Sequence, residues 1–137
     1  MIKPDGYQNM GKILDKVVSE EGFEVTRLKM IKMDTMLARH FAQMCGAGDT
    51  KTYKNVMEEL IKDVSIGVEI NGNDVAGIIN AMAGPANPKT AKEVAPNSFR
   101  AIYGTDLVQN AVYCTPDEDS TDADKFFKSG YTEVLDN

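Results

Sequence analysis

The chain is poor in the residues that most readily carry chemistry. It has one histidine, His40, and two cysteines, Cys45 and Cys114, far apart and without CxxC or Cys/His spacing. A zinc site and a disulfide framework therefore lack support, and packed free thiols are the plainer reading. Long apolar runs are missing too. Nothing approaches the ~20 residues of a membrane span, and the first residues lack the charged-then-apolar layout of a signal peptide. On this pattern the chain is expected to be soluble and cytoplasmic. Positive charge is also short: 15 Lys and Arg stand against 21 Asp and Glu, for a formal charge of -6. The basic residues are scattered, which weighs against a nucleic-acid surface. What remains, 137 residues at 42% hydrophobic, suits one well-buried core and is too little for two.

Strand and helix signals alternate along the chain. From Met10 to Glu21, Ile13, Leu14, Val17 and Val18 share a helical face, and Gly22 supplies a stop. Phe23 to Met33 reads as a strand whose phase slips midway, which predicts a bulge or a local twist. Asp34 can cap a helix carrying Leu37, Phe41 and Met44, closed by Gly46-Ala47-Gly48-Asp49. A short helix over about Lys54–Lys62 buries Val56, Leu60 and Ile61. Ile66, Val68 and Ile70 alternate in a second strand, Asn71-Gly72-Asn73 turns, and Asp74 opens a helix with Val75, Ile78, Ile79 and Met82 that ends at Gly84. Pro85 to Pro96, with its prolines and little periodicity, predicts a long irregular loop of the kind that carries function. Asn110 to Cys114 reads as a short strand. The acidic stretch Asp117 to Asp124 leads into a helix with Phe126 and Phe127, and Tyr131 to Asn137 gives no strong signal.

Three short runs resemble nucleoside diphosphate kinases: Ile2-Lys3-Pro4-Asp5, then Asn97-Ser98-Phe99-Arg100, then Gln109-Asn110-Ala111-Val112-Tyr113. The resemblance covers Ile2 to about Phe127. It implies an α/β (α+β) domain of ferredoxin-like split βαβ type, a four-stranded antiparallel sheet with helices, over residues 1–137. Only Met1 to Lys3 precede Pro4, whereas a central strand runs about 5–6 residues, so the first strand reads as clipped and the domain as part of a longer polypeptide. Within the family the likeness is to the second kinase-like domain of the two-domain homologues of cilia and flagella. Gly11-Lys12-Ile13-Leu14, Gly22-Phe23-Glu24, Met33-Asp34, Gly84-Pro85-Ala86-Asn87-Pro88 and Leu135-Asp136-Asn137 carry it.

The resemblance assigns site residues one by one. Lys3 matches the lysine that meets the γ-phosphate, though an ordinary strand-end lysine would look the same; Arg100 matches an arginine that clamps phosphate oxygens, and Asn110 the asparagine that holds the ribose. Phe41 stands where the family has a tyrosine. Thr52 stands where it has a base-stacking phenylalanine, with Tyr53 a neighbouring substitute. Asn80 replaces a second phosphate-binding arginine and Ala86 a phosphate-binding threonine. The acid that orients the catalytic histidine falls on Asp122 or Asp124. Magnesium with ATP or ADP is the implied cofactor set, weak or lost here.

The nucleophilic histidine itself is replaced by Tyr113. A neutral imidazole attacks near pH 7, whereas a phenol with a pKa of about 10 is almost wholly protonated there. A phosphotyrosine is also an ester without the labile P–N bond that lets phosphate return to a nucleoside diphosphate. His40, beside Phe41, matches a family position that is not the nucleophile and reads as a satisfied helix histidine. Two functions compete. One is an inactive module of cilia or flagella, partnered by a neighbouring kinase-like domain and axonemal microtubule proteins; the other is an active kinase with a different phosphate carrier. Tyr113 as a packed aromatic beside Cys114 fits the first.

Overall fold

The computed structural model describes residues 1–45, 49–117 and 121–128, apart from the side chain of Glu21. Gly46 to Gly48, Glu118 to Ser120 and the tail from Ser129 lie outside the described residues, and with them most of the Gly46–Asp49 helix stop, part of the acidic stretch and the whole of Tyr131–Asn137, including the Leu135-Asp136-Asn137 run. Strands β1 (Glu24–Ile31) and β2 (Ser65–Asn71) pair antiparallel. Their register shifts between Val25 and Arg27, which is the bulge that the phase slip predicts. Ile2 extends the sheet beyond β2. It exchanges two backbone hydrogen bonds with Ile66, at 2.8 and 2.9 Å, and bridges Val112 on its far side, both antiparallel. The four sheet positions thus run β1, β2, Met1–Lys3, Val112, the last two reduced to isolated bridges.

The Asn110–Cys114 strand is therefore corrected to a single bridge at Val112. Ala111 has φ 74, in the left-handed region that a strand does not enter, and this breaks the extended run. Asp5 holds the turn: its Oδ2 accepts from the Ala111 N–H at 2.9 Å.

Helices α1 (Met10–Glu21), α2 (Thr35–Cys45), α3 (Thr50–Lys62), α4 (Val75–Ala83), α5 (Pro88–Val94), α6 (Phe99–Tyr103) and α7 (Asp122–Lys128) complete the described chain, with a 3-10 turn over Pro4–Asn9. Their ends follow local chemistry. Gly22 closes α1 at φ 65, and the Asp34 carboxylate accepts from the Leu37 N–H at 2.8 Å to open α2. α3 begins ahead of the expected Lys54 because Asp49 accepts from the Thr52 N–H at 2.7 Å and caps it. Asp74 opens α4 through its carbonyl alone; it sits at φ 54 and its side chain makes no cap. Val18, expected on the buried face of α1, is 46% exposed.

The reading of Pro85–Pro96 as irregular is corrected as well. Asn87 accepts from the Lys89 N–H at 3.0 Å and Pro88 occupies the first turn, a position where proline favours a helix, so α5 forms inside the supposed loop. Ser98 then caps α6 through the Ala101 N–H at 3.3 Å.

Two apolar layers flank the sheet. One joins Ile13, Val17, Phe23, Ile66, Phe99 and Val112, with α1, α4 and α6. The other joins Leu37, Phe41, Val56, Leu60, Tyr113 and Phe126, with α2, α3 and α7. Gly67 lets α7 approach: a Cβ there would fall 2.3 Å from the Phe126 ring. Among the described residues, no helix is long and apolar enough to cross a membrane.

Candidate functional site

Val112 faces the first layer, so strand alternation turns Tyr113 into the second, where it is 8% exposed. Its hydroxyl donates to Asp122 Oδ2 at 2.7 Å and lies 3.4 Å from Met44 Sδ. Asp122, the first residue of α7, is itself buried, and its Oδ1 is 2.9 Å from His40 Nε2. Phe41 packs edge-on against the Tyr113 ring at 5.7 Å and against Phe126 at 6.2 Å. Burial first, and then the bond to the Asp122 carboxylate, hold the phenol well above its usual pKa. At neutral pH Tyr113 is a hydrogen-bond donor and a poor nucleophile.

Of the two acids in question, Asp122 is the one beside Tyr113. Asp124 faces outward, 3.7 Å from Arg27, which also pairs with Glu69. The bond from His40 to this carboxylate was not read from the sequence. A signal existed, because His40 and Met44 stand four residues apart on α2 and so share a face.

The polar residues gather in a second group around the first strand. Lys3 is 0% exposed, and its ammonium donates to the Val108 carbonyl at 2.7 Å and to Asn110 Oδ1 at 2.8 Å. Burial pushes its pKa down from the usual lysine value. Asn110 Nδ2 in turn donates to the Ala86 carbonyl at 3.0 Å, so Lys3, Asn110 and the Ala86 backbone form one chain of bonds. Arg100 donates from Nη1 to the Gly84 carbonyl at 2.6 Å and from Nη2 to the Val112 carbonyl at 3.0 Å, while its Nε is buried without a partner. Burial lowers its pKa too. Both cations brace the backbone.

The other sequence-assigned positions are spread more widely. Asn80 Nδ2 donates to the carbonyls of Ala76 and Thr115, both at 2.8 Å, and so ties α4 to the segment after Tyr113. Thr52 serves the start of α3, its hydroxyl donating to Asp49 Oδ2 at 2.7 Å, and Tyr53 follows it on the same helix. The Ala86 side chain is exposed and offers no hydrogen bond. Cys45 and Cys114 are free thiols, both pushed up in pKa by burial.

A sheet packed between two helix layers, with a buried Lys3–Asn110 pair in one polar group and a buried Tyr113–Asp122 pair in another, defines an α+β domain of split βαβ type. The chain belongs to the nucleoside diphosphate kinase family, whose sequence model, described as nucleoside diphosphate kinase, matches residues 1–130. It is 28% identical to the nucleoside diphosphate kinase of Aquifex aeolicus over 137 residues, 98% of this chain and 94% of that one. It is 29% identical to rat nucleoside diphosphate kinase homolog 7 across its full length, and there it spans 34% of the relative. Among solved structures, a crystal form of the Aquifex aeolicus enzyme superposes with a TM-score of 0.80, at 27% identity, covering 95% of this chain and 92% of that one. The fold of a Halobacterium salinarum enzyme solved with CDP also matches, with a TM-score of 0.78, at 21% identity, covering 93% of this chain and 84% of that one.

Proposed function

We propose that this chain is a nucleoside diphosphate kinase-fold module that does not transfer phosphate, retains at most weak nucleotide binding and serves a structural or interaction role. The observation that carries this reading is Tyr113 at the nucleophile position, with its hydroxyl committed to the buried Asp122 carboxylate. Withdrawing the phenol proton would set a phenolate against that carboxylate in a water-poor site, which is the least favourable setting for a nucleophile. Phosphoryl transfer also depends on positioned cations. The N–H groups of Lys3 and Arg100 reach internal carbonyls and Asn110, and Asn80 and Ala86 add no charge. This donor set does not fit a tightly held magnesium nucleotide.

The sequence pointers toward the ciliary and flagellar homologues give the module its proposed setting. Its partners there are a neighbouring kinase-like domain and proteins of axonemal microtubules. Support for a domain inside a longer chain comes from homolog 7, of which this chain spans 34%, and from a thioredoxin domain-containing protein 3 homolog of Heliocidaris crassispina, of which it spans 16%. The competing reading, an active kinase passing the γ-phosphate of ATP to a nucleoside diphosphate, is favoured by Lys3, Arg100 and Asn110 and by the name of the Aquifex relative. The deciding experiment incubates the protein with γ-labelled ATP and resolves it by denaturing electrophoresis. No label is expected. A stoichiometric, acid-labile label would establish the kinase reading instead.

A further inference from the structure

The Tyr113 hydroxyl has one proton and two acceptors within reach, Asp122 Oδ2 at 2.7 Å and Met44 Sδ at 3.4 Å. The carboxylate holds the proton, because a charged oxygen is a far better acceptor than a thioether sulfur. The arrangement lasts only while the sulfur stays a weak competitor.

Met44 links this buried contact to the surface. Tyr113 and Asp122 are enclosed, whereas Met44, in the last turn of α2, is 38% exposed. His40, one turn earlier on the same face, meets the other oxygen of Asp122 at 2.9 Å. α2 therefore grips the phenol and the acid at two neighbouring points, and Asp122 carries α7 into the same contact. Met36 is more exposed, at 82%, but among the described residues Met44 is the methionine whose sulfur meets a buried hydroxyl. The thiols of Cys45 and Cys114 are poorer targets for an oxidant, since burial raises both pKa values and keeps them protonated.

We propose that Met44 is an oxidation site through which a hydroperoxide loosens the contact between α2 and α7. The O–O bond of the peroxide breaks, an S=O bond forms on Met44 and, with hydrogen peroxide, water leaves; the sulfur gives up the two electrons that the peroxide takes. The sulfoxide replaces an apolar thioether with a polar group whose oxygen is a strong acceptor. Two strong acceptors then compete for the single phenolic proton, and Asp122 loses part of the bond that seats α7 against Tyr113. Methionine sulfoxide reductases reverse the step, so the contact can be reset. This site regulates packing and takes no part in phosphate transfer, so this proposal and the functional reading above can each fail alone.

The test treats the 137-residue protein with hydrogen peroxide until peptide mass spectrometry shows Met44 converted, reduces any oxidised thiols with dithiothreitol, and measures urea unfolding before and after. Met44→Leu, a change that conserves volume, and Tyr113→Phe are treated in the same way. Oxidation should shift the wild-type folding equilibrium about tenfold toward the unfolded state, ~1.4 kcal/mol. Met44→Leu should shift less than about threefold although Met36 is oxidised in both, and so should Tyr113→Phe, in which the bond open to competition is already gone. Reductases for both sulfoxide epimers should return the wild-type midpoint. A Met44 that stays unoxidised when Met36 is fully converted would overturn the proposal. So would an unchanged midpoint after its conversion. Losses equal to wild type in either variant would overturn it as well, and each variant decides by itself, so misfolding of one leaves the other to judge.

Discussion

The Lys3 ammonium lies 2.8 Å from the side-chain oxygen of Asn110, a residue 107 positions away, with no solvent between them and the Val108 carbonyl as a further acceptor. A nucleotide placed here must compete with bonds the fold already makes. Each hydrogen bond involving a charged group is worth about 1.5–3 kcal/mol, so the loss of even one such contact to a phosphate weakens binding about tenfold or more. ADP is therefore expected to bind at least about tenfold more weakly than to the Aquifex aeolicus enzyme under the same conditions. Calorimetric titration of both proteins checks this, and equal affinities would refute it.

Removing the hydroxyl of Tyr113 tests what it does for the fold. Tyr113→Phe keeps the ring against Phe41 but leaves Asp122 Oδ2 without its short bond inside the core. Loss of one hydrogen bond to a charged group costs about 1.5–3 kcal/mol. Urea unfolding should show a lowered midpoint with an unchanged slope. An unchanged midpoint would mean that the bond contributes nothing to stability.

The same bond sets an alkaline limit. The folded phenol has its pKa raised by burial and by Asp122, whereas the unfolded one titrates near 10. Below about pH 10 both forms are protonated and the contribution to stability is complete. Above it the unfolded chain releases the proton first, and stability falls as pH rises toward the folded value. Tyr113→Phe should lose less stability than wild type between about pH 10 and 11.5, with the other tyrosines common to both proteins. Parallel losses would show that Tyr113 titrates normally.

Restoring an imidazole should not restore the reaction. Tyr113→His replaces one planar ring with a smaller one and leaves at most a modest void, so the variant should fold. By the sequence resemblance, Phe41, Asn80 and Ala86 replace polar or charged groups of the family site, and such contacts can each be worth orders of magnitude in rate. A coupled assay of ATP-dependent phosphorylation of a nucleoside diphosphate is expected to stay more than about tenfold below the Aquifex aeolicus enzyme. Recovery to within that range would show that one residue alone separates this chain from catalysis.

The long helices and both strands were legible because their signals are redundant: α1 carries a periodic face and a terminal glycine, α2 adds an aspartate cap, and even the bulge in β1 left a slip in the alternation. α5 and α6 were hidden because each is too short to show a period and because proline reads as a breaker when it is in fact a starter. The strand at Asn110–Cys114 was overread because nothing about an alanine announces a positive φ at position 111. At the candidate site, the motifs assign residues only through the resemblance. Which acid lies beneath Tyr113, and what Lys3 and Arg100 hold, depends on contacts between residues far apart in the chain, and no local pattern encodes those.

Gly67 ties the sheet to that acid. Because the Phe126 ring rests where a side chain would otherwise project, the strand and the last described helix are keyed to each other at one point. Asp122 rides on the same helix, four residues earlier. The depth at which the carboxylate meets Tyr113 is therefore gauged one turn away on the same face of the helix, through the place that Gly67 leaves for Phe126. A methyl group at position 67 would lift the helix like a shim, and the first contact to open would be the one at the far end, between an acid and a phenol.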